Sequence, residues 1–154
     1  MDALLIALDD PRADDVRALL ETHLAFTAAC TPPEDIYALD LDGLLEPGIS
    51  FFSVRRAGGL LAIGALLELG PDHGELKSMH TTAEALGQGV GRAMVDHLVG
   101  EARSRGYTRV SLETGTQDEF AAARALYTAC GFVACGPFSH YSDTRTSALM
   151  TLEL

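Results

Sequence analysis

The residues best placed to do chemistry are the glycine-spaced run Gly87-Gln88-Gly89-Val90-Gly91-Arg92, set where an amphipathic helix begins. The first amide N–H groups of a helix have no intrahelical partner, and the helix dipole adds positive potential there. Glycines let the backbone approach a ligand closely. The chemistry this suits is anion binding, phosphate above all, and a plain turn is the alternative reading of GxGxG. No GK[ST] follows, which excludes a P-loop. The strand before the turn belongs to an antiparallel meander, which does not fit the dinucleotide fingerprint GxGxxG. The five histidines and three cysteines (Cys30, Cys130, Cys135) show no metal-ligand or CxxC spacing. Neither a metal site nor a disulfide framework is expected.

Positioning that turn requires a particular order of elements. Residues 3–8 read as a first strand, and Asp10-Pro11 as a helix start. Val16, Leu19, Leu20, His23 and Leu24 form one apolar helical face, on which His23 reads as a packed residue. Thr31-Pro32-Pro33 breaks that helix, and residues 34–45 are predicted to resume as a second, shorter one. Residues 49–55 and 60–69 are strands joined by Arg56-Ala57-Gly58-Gly59 as a hairpin, and residues 75–81 form a third antiparallel strand. Val90, Met94, Val95, Leu98, Val99 and Ala102 predict a helix over residues 90–105 with one continuous apolar face. Residues 107–113 follow as a strand, reached by a right-handed crossover. A helix over residues 118–130, a short strand from residue 132 and a last strand over residues 147–154 complete the chain. The 154 residues read as one domain with no repeats.

The net charge of −11 argues against nucleic acid and against anionic membranes as partners. Residues 1–46 hold eleven acids against only Arg12 and Arg17. That bias either keeps helix faces solvated or draws in a cationic substrate. No apolar run is long enough to span a bilayer, and the N-terminus lacks the basic region of a signal peptide. The expected location is the cytoplasm. Lys77, the only lysine, reads as a strand-surface residue.

The order of elements, the glycine turn, and Leu126-Tyr127 near a helix end with Gly131-Phe132 after it resemble the GNAT superfamily of acyl-CoA-dependent N-acyltransferases. The resemblance covers nearly the whole chain. The phrases PPEDIYALDLDGL, GELKSM, RVSLETGT and CGPFSHY are similar to one bacterial branch of small members. It implies an α/β (α+β) fold with a mixed, mostly antiparallel sheet, a V-shaped splay between the fourth and fifth strands, and helices on both faces. The superfamily's phosphate-binding pattern, Gln/Arg-x-x-Gly-x-Gly/Ala, falls on Leu86 to Gly91. Leu86 replaces the usual first residue, as in that branch, and His80 stands where the branch commonly has arginine.

The resemblance further implies that the cosubstrate is acetyl-CoA, with no metal. Backbone groups of Met79, His80 and Thr81 would pair with the pantetheine arm. Leu86, Gly87, Gln88, Gly89, Val90, Gly91 and Arg92 would form the pyrophosphate cradle, with Arg92 either meeting a phosphate or pairing with Asp96. The reaction would be direct attack of a small-molecule primary amine on the thioester. Tyr127, also in contact with the cosubstrate, matches the tyrosine that protonates the departing thiolate. Phe120 stands where the superfamily has an asparagine. Glu113, Glu75 and His80 are the candidate bases. A non-catalytic acyl-CoA sensor is the alternative reading, and a homodimer is compatible with it or with the enzyme.

Overall fold

The computed structural model describes residues 3–154; Met1 and Asp2, the latter counted among the acids above, lie outside the described residues. Seven strands form one sheet in the order β1-β2-β3-β4-β5-β7-β6. They are β1 (Leu4–Leu8), β2 (Ile49–Arg56), β3 (Gly59–Gly70), β4 (His73–Thr81), β5 (Arg109–Gly115), β6 (Val133–Ala134) and β7 (Ser147–Glu153). Every neighbouring pair is antiparallel except β4 and β5, which run parallel. The β2–β3 turn places Ala57 (φ 51°) and Gly58 (φ 83°) in the left-handed region, the geometry that matches hairpin twist.

Strand alternation sends two sets of side chains to opposite faces. Phe51, Ile63 and Ala65 pack against Val16, Leu19 and Leu20 of helix α1 (Asp14–Cys30) and Leu44 of the short helix α2 (Leu41–Leu44). Phe52, Val54, Ala62 and Leu66 meet Met94, Val95 and Leu98 of α3 (Val90–Ser104) and Tyr127 of α4 (Ala121–Ala129). The expected mixed sheet with helices on both faces is present. Among the described residues no helix is long and apolar enough to cross a membrane.

Two elements differ from the sequence expectation. Residues 34–45 are not one helix. Pro33–Asp35 is a 3-10 turn, residues 36–40 are extended, and only Leu41–Leu44 is helical. The side chain of Asp40 accepts from the Gly43 amide at 2.9 Å and starts the helix there. The extended run lets Tyr37 pack edge-on against Tyr141, with ring centroids 4.9 Å apart. Helix α1 starts at Asp14 rather than at Asp10-Pro11, because Asp10 is engaged in a turn: its carbonyl accepts from the Ala13 amide at 3.1 Å, and its carboxylate takes the Arg12 amide and guanidinium.

The splay between β4 and β5 is the feature that makes a site. Their pairing runs from His73–Arg109 to Leu76–Leu112 and stops. From residue 77 onward β4 remains paired with β3 only, so its other edge carries free backbone donors and acceptors. A bulge at Ser78 (φ 56°) shifts the β3–β4 register so that Lys77 faces Ala65 and His80 faces Ile63. Without the extra residue His80 would point to the α3 face. With it, His80 joins Glu75 and Lys77 on the α1 face.

Candidate active site

A single cavity of about 1120 Å³ runs through the fork between β4 and β5, and its walls come from both faces of the sheet. On the α3 side it is lined by Met79, Thr81, Leu86, Gly87, Gly89, Val90, Gly91, Arg92 and Tyr127. Gly87 (φ 76°) and Gly89 (φ 80°) hold left-handed conformations that orient the turn, and Gly89 caps α3 with no side-chain hydrogen bond. The amides of Val90, Gly91 and Arg92 therefore open the helix with no partner inside it. No acid stands in this first turn to compete for them. An added Cβ at Gly87 or Gly89 would meet no protein atom within 4 Å, so the space above the turn is open.

Gln88 is the one residue of the expected cradle whose side chain does not line the cavity. It donates to the Glu84 carbonyl at 3.0 Å and accepts from Arg56 at 3.2 Å, tying the turn back to the end of β2. Leu86 is 65% exposed at the cavity lip. Arg92 lies 3.6 Å from Asp96 in an exposed i, i+4 pair and lines the cavity as well.

Tyr127 projects from α4 and is 6% exposed, packed edge-on against Phe132 with centroids 5.9 Å apart. Burial pushes its phenol well above the usual range, with Cys130 and Glu113 adding to the effect. At neutral pH it therefore holds its proton.

The α1 side of the cavity is polar at its floor. Glu75 and Lys77, two residues apart on β4, share the face covered by Tyr37 and Tyr141. Lys77 Nζ donates to Glu75 Oε2 at 3.2 Å and to Tyr141 Oη at 2.8 Å, and Tyr141 donates to the same carboxylate oxygen. Glu75 Oε1 is buried with no hydrogen-bond partner. Lys77, expected on the surface, is 7% exposed instead. The reason is tertiary: Lys77 sits where β4 leaves β5, and its ammonium is held between the buried Glu75 carboxylate and the buried Tyr141 hydroxyl. Burial and the Glu75 charge push the Tyr141 phenol far up.

Glu113 lies one residue beyond the last β4–β5 pair, on the same face as its cross-strand neighbour Leu149. Burial pushes its carboxyl up to about 7, with Glu75 and Asp35 raising it and Lys77 opposing. A group balanced near neutrality at a fork is suited to taking a proton. The four acid and base candidates read from sequence, Tyr127, Glu113, Glu75 and His80, thus all line the one cavity.

His80 and His23 face each other across the α1 wall, Nδ1 to Nδ1 at 3.1 Å. Burial, then the neighbouring His80, pulls His23 down to about 4, and burial also lowers His80. Phe26 packs edge-on against His80 and Phe120. The sequence reading missed this aromatic set and Tyr141. Their only sequence signal is the helical spacing of His23 and Phe26, which does not say what lies opposite.

Comparison with known proteins agrees with this geometry. The model of the acetyltransferase (GNAT) family matches residues 16–132. The chain is 42% identical over 149 residues to the uncharacterized N-acetyltransferase YsnE of Bacillus subtilis, covering 97% of this chain and 99% of that one. It is 40% identical to the uncharacterized N-acetyltransferase YedL of Escherichia coli, covering 97% and 94%. A Bacillus subtilis acetyltransferase solved in complex with CoA superposes with a TM-score of 0.74 at 20% identity, covering 99% of each chain. A chain whose forked sheet, glycine-capped helix and helix-borne tyrosine meet in one cavity, and whose sequence matches over these lengths, belongs to the GNAT superfamily of acyl-CoA N-acyltransferases.

Proposed function

We propose that the protein transfers an acetyl group from acetyl-CoA to the primary amine of a small molecule, by direct attack and without a covalent enzyme intermediate. The observation that carries this reading is the free β4 edge that leads, in one cavity, to the open N-terminus of α3 on one side and to Tyr127 on the other. A pantetheine arm has amides that pair with such an edge as an added strand does. Backbone groups of Met79, His80 and Thr81 supply that pairing. The amides over residues 87–92 hold the pyrophosphate, and Arg92 adds positive charge to it.

The chemistry then divides across the fork. The amine enters on the α1 face, and Glu113 takes a proton from its nitrogen as the C–N bond forms. The C–S bond breaks, and Tyr127 gives its proton to the sulfur. Glu113 then passes its proton to solvent and Tyr127 regains one from solvent, leaving amide and free thiol. Glu75, buried and with Oε2 occupied by Lys77 and Tyr141, is not the principal base; it anchors those two side chains and places negative charge near Glu113.

The test is a pair of measurements on purified protein. Acetyl-CoA at about 100 times its Kd stabilises by about 2.7 kcal/mol, which for this size raises Tm by roughly 5–10 °C. Amine-dependent release of CoA must accompany that shift. No shift at millimolar acetyl-CoA overturns the reading. A shift without turnover on any amine points to the sensor alternative.

A further inference from the structure

We infer that the amine acceptor is an arylalkylamine, whose ring lies against an aromatic wall formed by Phe26, Phe120 and the His23–His80 pair and whose nitrogen reaches Glu113. This rests on the acetyl-transfer reading above and specifies its second substrate.

The wall is a continuous edge-to-face series. Centroids are 5.1 Å apart between His23 and His80, 6.1 Å between His80 and Phe26, and 5.3 Å between Phe26 and Phe120. All four residues line the cavity. His80 comes from β4 and Phe120 from the 3-10 turn (Asp118–Phe120) that follows β5, so Phe26 of α1 spans the opening of the fork between them. Phe26 and Phe120 are only half-buried, leaving apolar surface open to the cavity. A ligand ring covering it gains both burial and further edge-to-face contact.

The distance to the reacting end is short. Phe120 fills the space that a side chain at Gly115 would need. Gly115 is two residues beyond Glu113 on the same face of β5, roughly 7 Å along the strand. That is the reach of a short alkyl linker between a ring and its nitrogen.

Charge argues the same way. The wall contains no acid or base other than the two imidazoles, and the lowered values of both keep them uncharged at neutral pH. An approaching ammonium meets ring faces that attract it and then Glu113 and Glu75 at the floor. Asp15, Asp35, Glu84 and Glu119 also line the cavity, so a polyamine is the competing acceptor, and the test below sets it against the aryl substrates.

The test compares kcat/KM for phenethylamine and tyramine with that for n-butylamine and spermidine, at saturating acetyl-CoA, by CoA release. The same ratios are measured for Phe26→Leu and Phe120→Leu, which keep apolar bulk if a truncation would not fold. The aryl substrates are expected to be favoured by about 10- to 200-fold, the range for filling an apolar subsite. Each leucine variant should lower that preference several-fold while leaving acetyl-CoA affinity unchanged. A preference for spermidine or n-butylamine, an aryl preference untouched by either variant, or acetyl-CoA binding with no amine acetylated overturns the inference. Failure to bind acetyl-CoA overturns the functional reading itself.

Discussion

Glu113 acquires its character from where β5 leaves β4. One residue earlier in the parallel ladder, Leu112 is a core residue; at the fork, a carboxylate meets the cavity while still largely desolvated. Its folded value of about 7 against an ordinary 4.5 has two consequences. For catalysis, the base form accumulates as pH rises, so kcat/KM should climb to a plateau with a midpoint near 7. For stability, the folded protein keeps a proton that the unfolded chain has lost, so stability falls as pH rises from about 4.5 through about 7. Glu113→Gln should therefore lower kcat by about 10²-fold or more and abolish the alkaline rise. The same variant should melt a few degrees higher than wild type at pH 8, with little difference at pH 4. A variant with near-normal kcat would make Glu113 a packing residue. Residues of this kind were only partly legible in the sequence. Glu113 could be placed at the end of a strand, but Lys77 could not be placed inside. Alternation tells which residues share a face and not whether that face is covered.

Elements account for the rest of the site. Strand β4 carries a buried ion pair, Glu75 with Lys77, whose side chains are 1% and 6% exposed. Removing one partner leaves the other charge uncompensated. Lys77→Met should cost about 3 kcal/mol or more, read from urea midpoints. The double variant Glu75→Gln with Lys77→Met should recover most of that loss, and equal losses in both would refute the pairing argument. At the start of α3, Gly89 sits at φ 80°, where a residue with a Cβ is strained by about 1–2 kcal/mol. Gly89→Ala should lower stability by roughly 1 kcal/mol and weaken acetyl-CoA binding about tenfold or more, because the Cβ stands where the ligand approaches. Measured affinity equal to wild type would show that the turn only turns. Strands, the long helix α3 and this turn were readable from period and glycine spacing. Residues 34–45 were not, because their apolar positions fit a helix while Pro32-Pro33, the Asp40 cap and the docking of Tyr37 on Tyr141 dictate an extended path. The bulge at Ser78, which turns His80 to the α1 face, also left no mark in the residue types.

At the scale of the whole molecule, the sheet divides labour between its faces. The α3–α4 face carries the open N-terminus of α3 and Tyr127, the proposed phosphate site and proton donor. The α1 face supplies carboxylates, neutral imidazoles and phenyl rings. The two communicate only through the gap where β4 and β5 part, so a thioester carbonyl reached from one face can be attacked from the other. The acid-rich first third of the chain contributes Asp15 and Asp35 to the lining on the α1 side, in keeping with a cationic substrate. In the sequence the acidic first third read as solvated helix faces or as a draw for cations, and no residue pattern placed α1 across the fork.

The claim at the centre of this account is that Tyr127 is a proton donor in a transferase rather than a packing residue in a binding module. The most direct measurement is acetyl-CoA affinity by calorimetry alongside the steady-state rate of amine acetylation, for wild type and Tyr127→Phe. The phenyl ring keeps its packing on Phe132, so affinity should stay within about threefold, while kcat should fall by about 10²-fold or more. Equal rates in the two proteins, or no acetylation by wild type, would contradict it.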